Sequence, residues 1–352
     1  NLLRGCQDAT CRAPGGFPAA FYRGLNMAQN EMIKLIPVFK DYIWGGTKIR
    51  DLLKKDTGEL EHVAESWEFS THPDGQSVIA NGKFAGKTLS EYFASIGWKR
   101  AGAYGEEHKR LPFMVKFIDA RENLSIQVHP TEAYARRHEN DNGKNEMWYI
   151  VDAEEDAFIY VGFNRNTSRK EVARRVKDRT IEEILNKIPV RKGDSFFIPA
   201  GTVHAIGAGC LICEIQQTSN ITYRLYDYGR VDHDGKPRRL DVKKALDVLD
   251  YQKMEIDRDE ESGLYHIGAT SKKTLARTDW FTVTKYDVDG DLKITSMRSP
   301  YTQYKVLIVV DGEGEIERPE GLERSAVGYT WLLKQQAPLH IHGHCSMLVV
   351  NL

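Results

Sequence analysis

The sequence predicts an all-β protein with a small helical insertion and a second, smaller β domain. Short apolar segments at 76–80, 157–161 and 195–198 end at turn residues such as Asn81-Gly82 and Pro199. Closely spaced strands with turn residues between them are typical of a β-sandwich or β-barrel. No GxGxxG or P-loop pattern follows a strand, so the sequence does not support a dinucleotide or Walker-type nucleotide site.

Helical periodicity interrupts the strand pattern at two places. Between 167 and 187 the apolar residues recur at helical spacing among many charges, at Val172, Val176, Ile181, Ile184 and Leu185. Ser168 can cap the start of this segment, and Glu171 can complete a capping box. A shorter helical pattern follows Asp241 and runs to Leu249. We therefore predict one or two amphipathic helices inserted between strands, and a further short helix after them.

Changes of pattern divide the chain into parts. Residues 27–250 form the predicted main domain, and residues 265–352 resume the strand pattern as a smaller C-terminal domain. The polar segment 257–262 is the predicted linker between them. Residues 1–26 precede Met27 without any coherent pattern, and we interpret them as a non-native or disordered extension.

The charge balance indicates which partners to expect. Among 352 residues, 49 Lys and Arg face 50 Asp and Glu, which gives a net charge of −1. No overall field favours nucleic acid or an anionic membrane, and no apolar run approaches the ~20 residues of a membrane span. The N-terminal segment lacks the apolar core of a secretion signal. We expect a cytoplasmic protein with reduced cysteines, in which Cys210 and Cys213 belong to a buried strand and not to a zinc or redox pair.

A strand with three polar residues on one face is the first candidate for a functional site. The segment 124–130 alternates with period two, so Ser125, Gln127 and His129 share one face of the strand. Taken alone, this pattern fits a solvated surface strand equally well.

A second segment delivers another histidine after a sharp turn. Residues 193–204 read G-x5-P-x-G-x2-H, in which an apolar strand ends at Pro199, Gly201 permits the turn and His204 begins the next strand. This pattern is the second signature motif of the cupin superfamily. The resemblance implies a double-stranded β-helix, or jelly-roll, barrel, with a degenerate cupin-like domain at 265–352.

The first cupin motif normally supplies two histidines and a later glutamate. Here Gln127 and His129 stand in the place of the histidine pair, and Glu146 follows after a longer loop. This spacing departs from the general cupin pattern and matches one branch of the superfamily.

Several segments resemble the type I phosphomannose isomerases. They keep their order from Pro37 to Arg230 and are 42–46 (YIWGG), 64–68 (AESWE), 111–116 (LPFMVK), 127–130 (QVHP), 145–149 (NEMWY) and 214–230. The chain length resembles the shorter bacterial form of that family. The resemblance implies a metal-dependent isomerase that interconverts mannose 6-phosphate and fructose 6-phosphate through a cis-enediol.

The same resemblance implies that Gln127, His129, Glu146 and His204 bind one Zn²⁺ per chain. Two imidazole nitrogens, one carboxylate and one amide oxygen suit a borderline cation. Because Mn²⁺, Co²⁺ or Fe²⁺ can occupy the same donors, the choice of zinc follows from the family and not from the ligands.

The resemblance also assigns an active-site arginine, Arg224. A guanidinium beside the enediolate would stabilise its negative charge, whereas the alternative is a surface arginine paired with Asp227. The proton-transfer base stays open between Glu146, His204 and a metal-bound water.

The phosphate group of the substrate requires local donors because the overall charge is balanced. Lys116, Ser125 and Lys144 resemble the residues that the family places beside the phosphate or the metal carboxylate. The expected partner is therefore a small sugar phosphate, and the chain is expected to be a monomer or a homodimer.

A cluster of histidines near the C-terminus offers a competing metal site. His340, His342 and His344 alternate along one strand, but no matching earlier glutamate is apparent. We therefore expect a C-terminal domain without a metal site. Two other functions stay open: a cupin metal oxidoreductase of the dioxygenase type, and a non-catalytic sugar-binding cupin.

Overall fold

The computed structural model describes residues 32–231, 234–256, 263–294, 304–318, 321–334 and 338–351. The extension predicted at 1–26 and the linker predicted at 257–262 lie outside these ranges. Since the predicted division into domains depends on that linker, the division stays a prediction.

Strands dominate the described part of the chain. In chain order they are β1 (Met32–Ile36), β2 (Val38–Lys40), β3 (Glu65–Phe69), β4 (Thr71–His72), β5 (Gly75–Gln76), β6 (Val78–Ile79), β7 (Phe113–Ala120), β8 (Ile126–Val128), β9 (Glu146–Ala153), β10 (Phe158–Phe163), β11 (Leu185–Pro189), β12 (Ser195–Ile198), β13 (His204–Ile206), β14 (Cys210–Gln217), β15 (Tyr223–Tyr226), β16 (Leu264–Ile267), β17 (Thr270–Arg277), β18 (Thr282–Ile294), β19 (Tyr304–Arg318), β20 (Gly321–Ala326), β21 (Thr330–Lys334) and β22 (Leu339–Asn351).

The helical part is small. It consists of α1 (Lys48–Asp51), α2 (Leu89–Ile96), α3 (Gly102–His108), α4 (Glu132–His138), α5 (Arg169–Asp178) and α6 (Val242–Val248), with 3-10 turns at Gly82–Phe84, Trp98–Ala101 and Ile181–Ile184. The predicted all-β fold with a helical insertion is therefore confirmed.

Two open sheets pack face to face and form the predicted jelly-roll barrel. One has the strand order β11-β10-β13-β8-β15, and the other has the order β12-β9-β14-β7-β3-β2. Apolar side chains from both sheets meet between them, including Ile118, Ile150, Ile159, Ile206 and Trp148. Because side chains alternate along each strand, every second residue of these strands faces the barrel interior.

The helical insertion covers the outer face of the first sheet. Ser168 caps α5 by accepting the backbone N–H of Glu171 at 3.3 Å, as the sequence predicts. The predicted capping box is not completed, because the carboxylate of Glu171 is bonded to neighbouring arginine and threonine side chains instead. Val172 of α5 and Leu246 of α6 pack in one apolar cluster with Val128 of β8. The helices α1, α2 and α3 were not predicted from the sequence, because each is too short to show a clear 3.6-residue period.

A third sheet holds the C-terminal strands together with the first described strand. Its order is β16-β17-β18-β22-β19-β21-β1-β6, and β20 pairs with β19. β1 joins this sheet by pairing Ile33 with Leu332. One apolar cluster contains Phe117 and Ile215 of the barrel and also Ile308 and Leu348 of the third sheet. The two parts of the chain therefore share a core.

The two cysteines of the CxxC pattern are both buried in β14. Residues three positions apart on a strand face opposite sides, and Cys210 packs in the barrel core while Cys213 packs in the core shared with the third sheet. Burial raises the pKa of the Cys210 thiol to about 12 and the pKa of the Cys213 thiol well above its usual value. This placement confirms the interpretation as part of a buried strand.

In the part of the chain that the structure describes, none of the helices has the length and apolar character needed to cross a membrane.

Candidate metal centre

Three neighbouring strands place polar side chains next to one another. β8 lies between β13 and β15, and Gln127 pairs with His204 on one side and with Arg224 on the other. Directly paired residues of adjacent strands project from the same face of a sheet. Gln127, His204 and Arg224 therefore stand in one row across the sheet.

The turn before β13 fixes the position of His204 beside His129. Gly201 has φ +91°, a left-handed conformation that glycine adopts without strain, and its N–H donates to the carbonyl of His129 at 2.9 Å. The turn is closed by the N–H of Thr202, which donates to the carbonyl of Pro199 at 3.1 Å. The sequence analysis identified both the turn and the histidine that it delivers.

Glu146 approaches from the facing sheet as the first residue of β9. Its Oε1 lies 3.1 Å from Nε2 of His129, and its Oε2 lies 3.7 Å from Nε2 of His204. The two imidazole Nε2 atoms are 3.2 Å apart. His129, Glu146 and His204 are each 1% exposed and form a buried cluster that could hold a metal ion.

The fourth predicted donor, Gln127, borders this cluster. Its Nε2 lies 3.4 Å from Nε2 of His204, and its Oε1 accepts a hydrogen bond from Ser125 Oγ at 3.3 Å. Rotation of the amide by 180° exchanges these two atoms and presents the oxygen to the cluster. The structure therefore brings all four predicted donors together, with Ser125 beside them.

The hydrogen bonding of the cluster fits a divalent cation. His204 Nδ1 donates to the carbonyl of Thr202 at 2.8 Å, so the Nε2 lone pair faces the other donors. Neither carboxylate oxygen of Glu146 has a well-aligned hydrogen-bond donor among the described residues, although both are buried. Burial, reinforced by Lys144, lowers the pKa of His129 to about 3, and burial lowers the pKa of His204. Neutral imidazoles and an ionised carboxylate are the forms that bind metals.

Lys144 is the nearest cationic side chain to this cluster. Its Nζ lies 2.8 Å from Glu146 Oε1 and 3.2 Å from His129 Nε2. Burial alone would raise the pKa of Glu146, but Lys144 and His129 outweigh burial and hold that pKa well below its usual value. The carboxylate thus stays charged inside the barrel.

Arg224 is half-buried and, in the described part of the chain, is not paired with a carboxylate. Among the described residues its guanidinium forms no ion pair, and its buried Nε has no hydrogen-bond partner. Asp227, the partner considered in the sequence analysis, instead pairs with Arg230 at 2.5 Å and with Arg238 at 3.1 Å. The surface-pair interpretation of Arg224 therefore finds no support in the contacts.

Lys116 is buried in the barrel wall between two carboxylates. Its Nζ is 3.4 Å from Glu65 and 3.9 Å from Glu214, and it lies 4.7 Å above the ring of Trp67. Burial by itself lowers the pKa of Lys116, but Glu65 and Glu214 outweigh this effect and the pKa is raised. The role of Lys116 beside a phosphate stays a prediction, since the ammonium is already paired.

The sequence analysis missed Glu214 as a residue of the site. It faces the interior from β14 and accepts a hydrogen bond from the indole of Trp148 at 3.0 Å. Burial, followed by the charge of Glu146, raises the pKa of Glu214 to about 7. A sequence signal exists, because Glu214 and Gln216 alternate with the apolar residues Cys213 and Ile215 of β14.

Fold and site together define a cupin-type barrel whose interior carries the donor set of a metal centre. Residues 32–180 match the family model for the catalytic domain of type I phosphomannose isomerase. The chain is 38% identical over 285 residues to mannose-6-phosphate isomerase ManA of Bacillus subtilis (strain 168), which covers 80% of this chain and 85% of that protein. It is 36% identical to mannose-6-phosphate isomerase of Streptococcus mutans, over 81% of this chain and 86% of that protein.

A solved structure gives the same result. The crystal structure of mannose 6-phosphate isomerase from Bacillus subtilis superposes with a TM-score of 0.82 at 32% identity, covering 91% of this chain and 99% of that chain. The chain belongs to the type I phosphomannose isomerase family. The family resemblance predicted from the sequence is therefore confirmed.

Proposed function

We propose that this chain is an aldose–ketose isomerase that interconverts mannose 6-phosphate and fructose 6-phosphate through a cis-enediol. The observation that carries the proposal is a buried cluster of His129, Glu146 and His204 beside an arginine that has no carboxylate partner among the residues that the structure describes. Relatives more than a third identical over four fifths of the chain are mannose-6-phosphate isomerases, which supports the choice of substrate.

Gln127, His129, Glu146 and His204 would hold one divalent cation, for which we propose Zn²⁺. When bound, such a cation supplies Lewis-acid polarisation and positive charge to the substrate oxygens on the carbons between which the proton moves. The protein's contribution is to bring the four donors together from two facing sheets. Gln127 and His204 lie in the paired strands β8 and β13, Glu146 begins β9, and His129 follows β8 directly.

Arg224 is proposed to stabilise the enediolate. It stands one strand from Gln127 on the same face, and its guanidinium is not neutralised by a carboxylate among the described residues. A fixed cation inside a barrel acts more strongly on developing negative charge than it would in water. The arginine would therefore favour the transition state over the neutral sugar.

Lys144, Ser125 and Lys116 are proposed as donors on the substrate side. Lys144 is best placed, because its ammonium already lies against the donor cluster. Ser125 lies beside Gln127 and can donate from its hydroxyl. Lys116 would have to exchange a contact with Glu65 or Glu214 for the phosphate.

The remaining expectations accompany this proposal. The partner is a small sugar phosphate, the chain works as a monomer or a homodimer, and its location is cytoplasmic. The buried free thiols of Cys210, Cys213 and Cys345 are compatible with a reducing compartment.

The test is a coupled assay on metal-stripped protein. After chelation, addition of Zn²⁺ should restore conversion of mannose 6-phosphate to fructose 6-phosphate. Turnover that is absent with every divalent metal would contradict the proposal, and oxygen uptake with a small organic acid would favour an oxidoreductase.

Arg224→Ala distinguishes a role in the reaction from a structural role. We expect turnover to fall by about 10²–10³-fold, as for the loss of other transition-state donors, while zinc content stays at the wild-type level. Arg174→Ala is the matched control, because Arg174 is exposed and pairs with Asp178 on the surface of α5. Loss of zinc in Arg224→Ala would show that the arginine supports the metal ligands instead.

A further inference from the structure

The three C-terminal histidines lie on the outer face of the third sheet. We call His340, His342 and His344 of β22 the histidine row. Their neighbours Leu339 and Ile341 are buried in the core of that sheet, so the alternating histidines project away from it. From the sequence alone no metal site is expected here, because no matching earlier glutamate is apparent.

Strand register supplies the acidic neighbours that sequence inspection did not find. On one side, β18 pairs Asp289 with His344 and Asp291 with His342. On the other side, β19 pairs Glu313 with His344 and Glu315 with His342, and the next position of the same face, Glu317, flanks His340. The histidine row therefore runs between two lines of carboxylates that come from distant parts of the chain.

Contacts within this arrangement are close at one end of the row. Asp291 Oδ1 lies 2.5 Å from Nδ1 of His342, and Glu317 Oε2 contacts Nδ1 of His340 and lies 4.0 Å from Nε2 of His342. The rings of His340 and His342 are 4.0 Å apart between centroids. One ligand atom from each of Asp291, His340 and His342 lies within 4.8 Å of the other two.

One polar atom of this cluster is buried and unsatisfied. Nε2 of His340 has no hydrogen-bond partner among the described residues, although the atom is inaccessible to solvent. A buried polar atom without a partner costs free energy unless a ligand or ion completes it. This observation is independent of the spacing of the ligand atoms.

We propose that Asp291, His340 and His342, with Glu317 beside them, bind a second divalent transition-metal ion on the outside of the third sheet. Two imidazoles and a carboxylate suit Zn²⁺ or a neighbouring first-row dication, and open positions are left for water. Ligand atoms around tetrahedral zinc lie roughly 3.4 Å apart, which follows from zinc–ligand distances of about 2.1 Å. Small side-chain rotations bring the present atoms to that spacing.

The local charge favours a cation. The two lines of carboxylates contribute Asp289, Asp291, Glu313, Glu315 and Glu317. Against them stand Lys293, which pairs with His340 across the strands, and Arg324, which is bonded to Glu313. Since Lys293 is exposed and flexible, it can move away from a bound dication.

Such an ion would tie β18, β19 and β22 together at the end of the sheet that lies away from the shared core. It lies outside the barrel, so its role is structural or regulatory and separate from the isomerase reaction. Binding to the folded state alone would raise the apparent stability with metal concentration.

The test is zinc stoichiometry on the full chain, by equilibrium dialysis with elemental analysis. We expect two Zn²⁺ per wild-type chain and one in His342→Asn, with wild-type isomerase activity and circular dichroism in that variant. His204→Asn should also retain one Zn²⁺, but without activity, so a failure of the outer site and a failure of the barrel site give different results.

Two further variants make the result specific. Asp291→Asn, a milder change at an exposed carboxylate, should weaken the second zinc by at least the ~10-fold that follows loss of an outer-shell partner. His344→Asn is the matched control, because His344 belongs to the histidine row but pairs with Asp289 outside the cluster, and it should keep two zinc ions. Equal zinc content in wild type and folded His342→Asn would overturn the proposal.

Discussion

Lys116 illustrates how one buried cation is held by residues from separate strands. Its ammonium lies between Glu65 of β3 and Glu214 of β14, and register places it opposite both Trp67 and Glu214. Glu214 is buried with it and Glu65 is mostly buried, so removal of the cation would leave negative charge inside the barrel wall.

We therefore predict that Lys116→Met lowers the free energy of unfolding by about 3–5 kcal/mol at pH 8. The loss should be smaller at pH 6. Burial and the charge of Glu146 raise the pKa of Glu214 to about 7 in the folded state. Because this pKa is lower in the unfolded chain, the free energy of unfolding decreases as the pH rises from the unfolded-state pKa towards 7. In Lys116→Met, protonation of Glu214 below pH 7 removes its uncompensated negative charge, so less of the free energy of unfolding is lost.

Urea unfolding at pH 6 and pH 8 checks this prediction. Lys99→Met is the control, because Lys99 is exposed on a 3-10 turn and should change stability by less than about 0.5 kcal/mol at either pH. A loss that is equal at both pH values would show that the effect is one of packing and not of charge.

At the same scale, local patterns predicted most of the proposed donor cluster but not the partners of Lys116. Gln127 lies in β8 and His129 follows directly after its end, at positions that alternate with period two. His204 follows the turn formed by Pro199 and Gly201, so each of these signals is local. Glu65 and Glu214 reach Lys116 through the pairing of β3, β7 and β14, which no local pattern encodes.

Among the elements, α4 controls the loop that carries Lys144 into the site. Thr131 caps the helix, and Glu132 in its first turn accepts the N–H of Gly143 at 2.8 Å and the side-chain amide of Gln217 at 3.0 Å. The loop backbone is thereby fixed against the helix directly before Lys144.

Gly143 leaves no room for a side chain at this contact. A Cβ at this position would lie 2.3 Å from the backbone nitrogen of Glu132. We predict that Gly143→Ala pushes the loop away from α4 and costs about 1–3 kcal/mol of stability, as overpacking does. Because Lys144 follows directly, turnover should fall by up to about 100-fold through a displacement of ~1 Å.

Thermal unfolding and initial rates with mannose 6-phosphate check the two effects separately. Gly58→Ala is a suitable control, since Gly58 has φ +59° and open space around its Cβ position. It should lose about 1 kcal/mol through backbone strain but keep full turnover. Wild-type activity in folded Gly143→Ala would show that the loop position does not matter to the reaction.

On the scale of the whole molecule, the barrel and the third sheet are connected by both strands and charges. β1 pairs with β21, although most of the chain separates them. Buried Glu68 of the barrel pairs with Lys55 at 2.8 Å and accepts a hydrogen bond from Thr330 of the third sheet at 3.0 Å. The sequence suggested two successive domains because its patterns follow chain order, whereas this connection is made by non-local pairing.

The shared core predicts that both parts unfold together. The slowest-exchanging amides of β7 in the barrel and of β22 in the third sheet should report the same opening free energy in hydrogen exchange, because apolar residues of both strands lie in one cluster.

Lys55→Met leaves the buried carboxylate of Glu68 without its cation and should reduce both values by about 3–5 kcal/mol. Lys244→Met, which breaks the partly exposed pair with Glu139, should reduce both by less than about 1 kcal/mol. Faster exchange in β22 alone would show instead that the third sheet opens as an independent unit. If both parts open together, the loss of the Lys55 charge must lower the opening free energy of the amides in both strands.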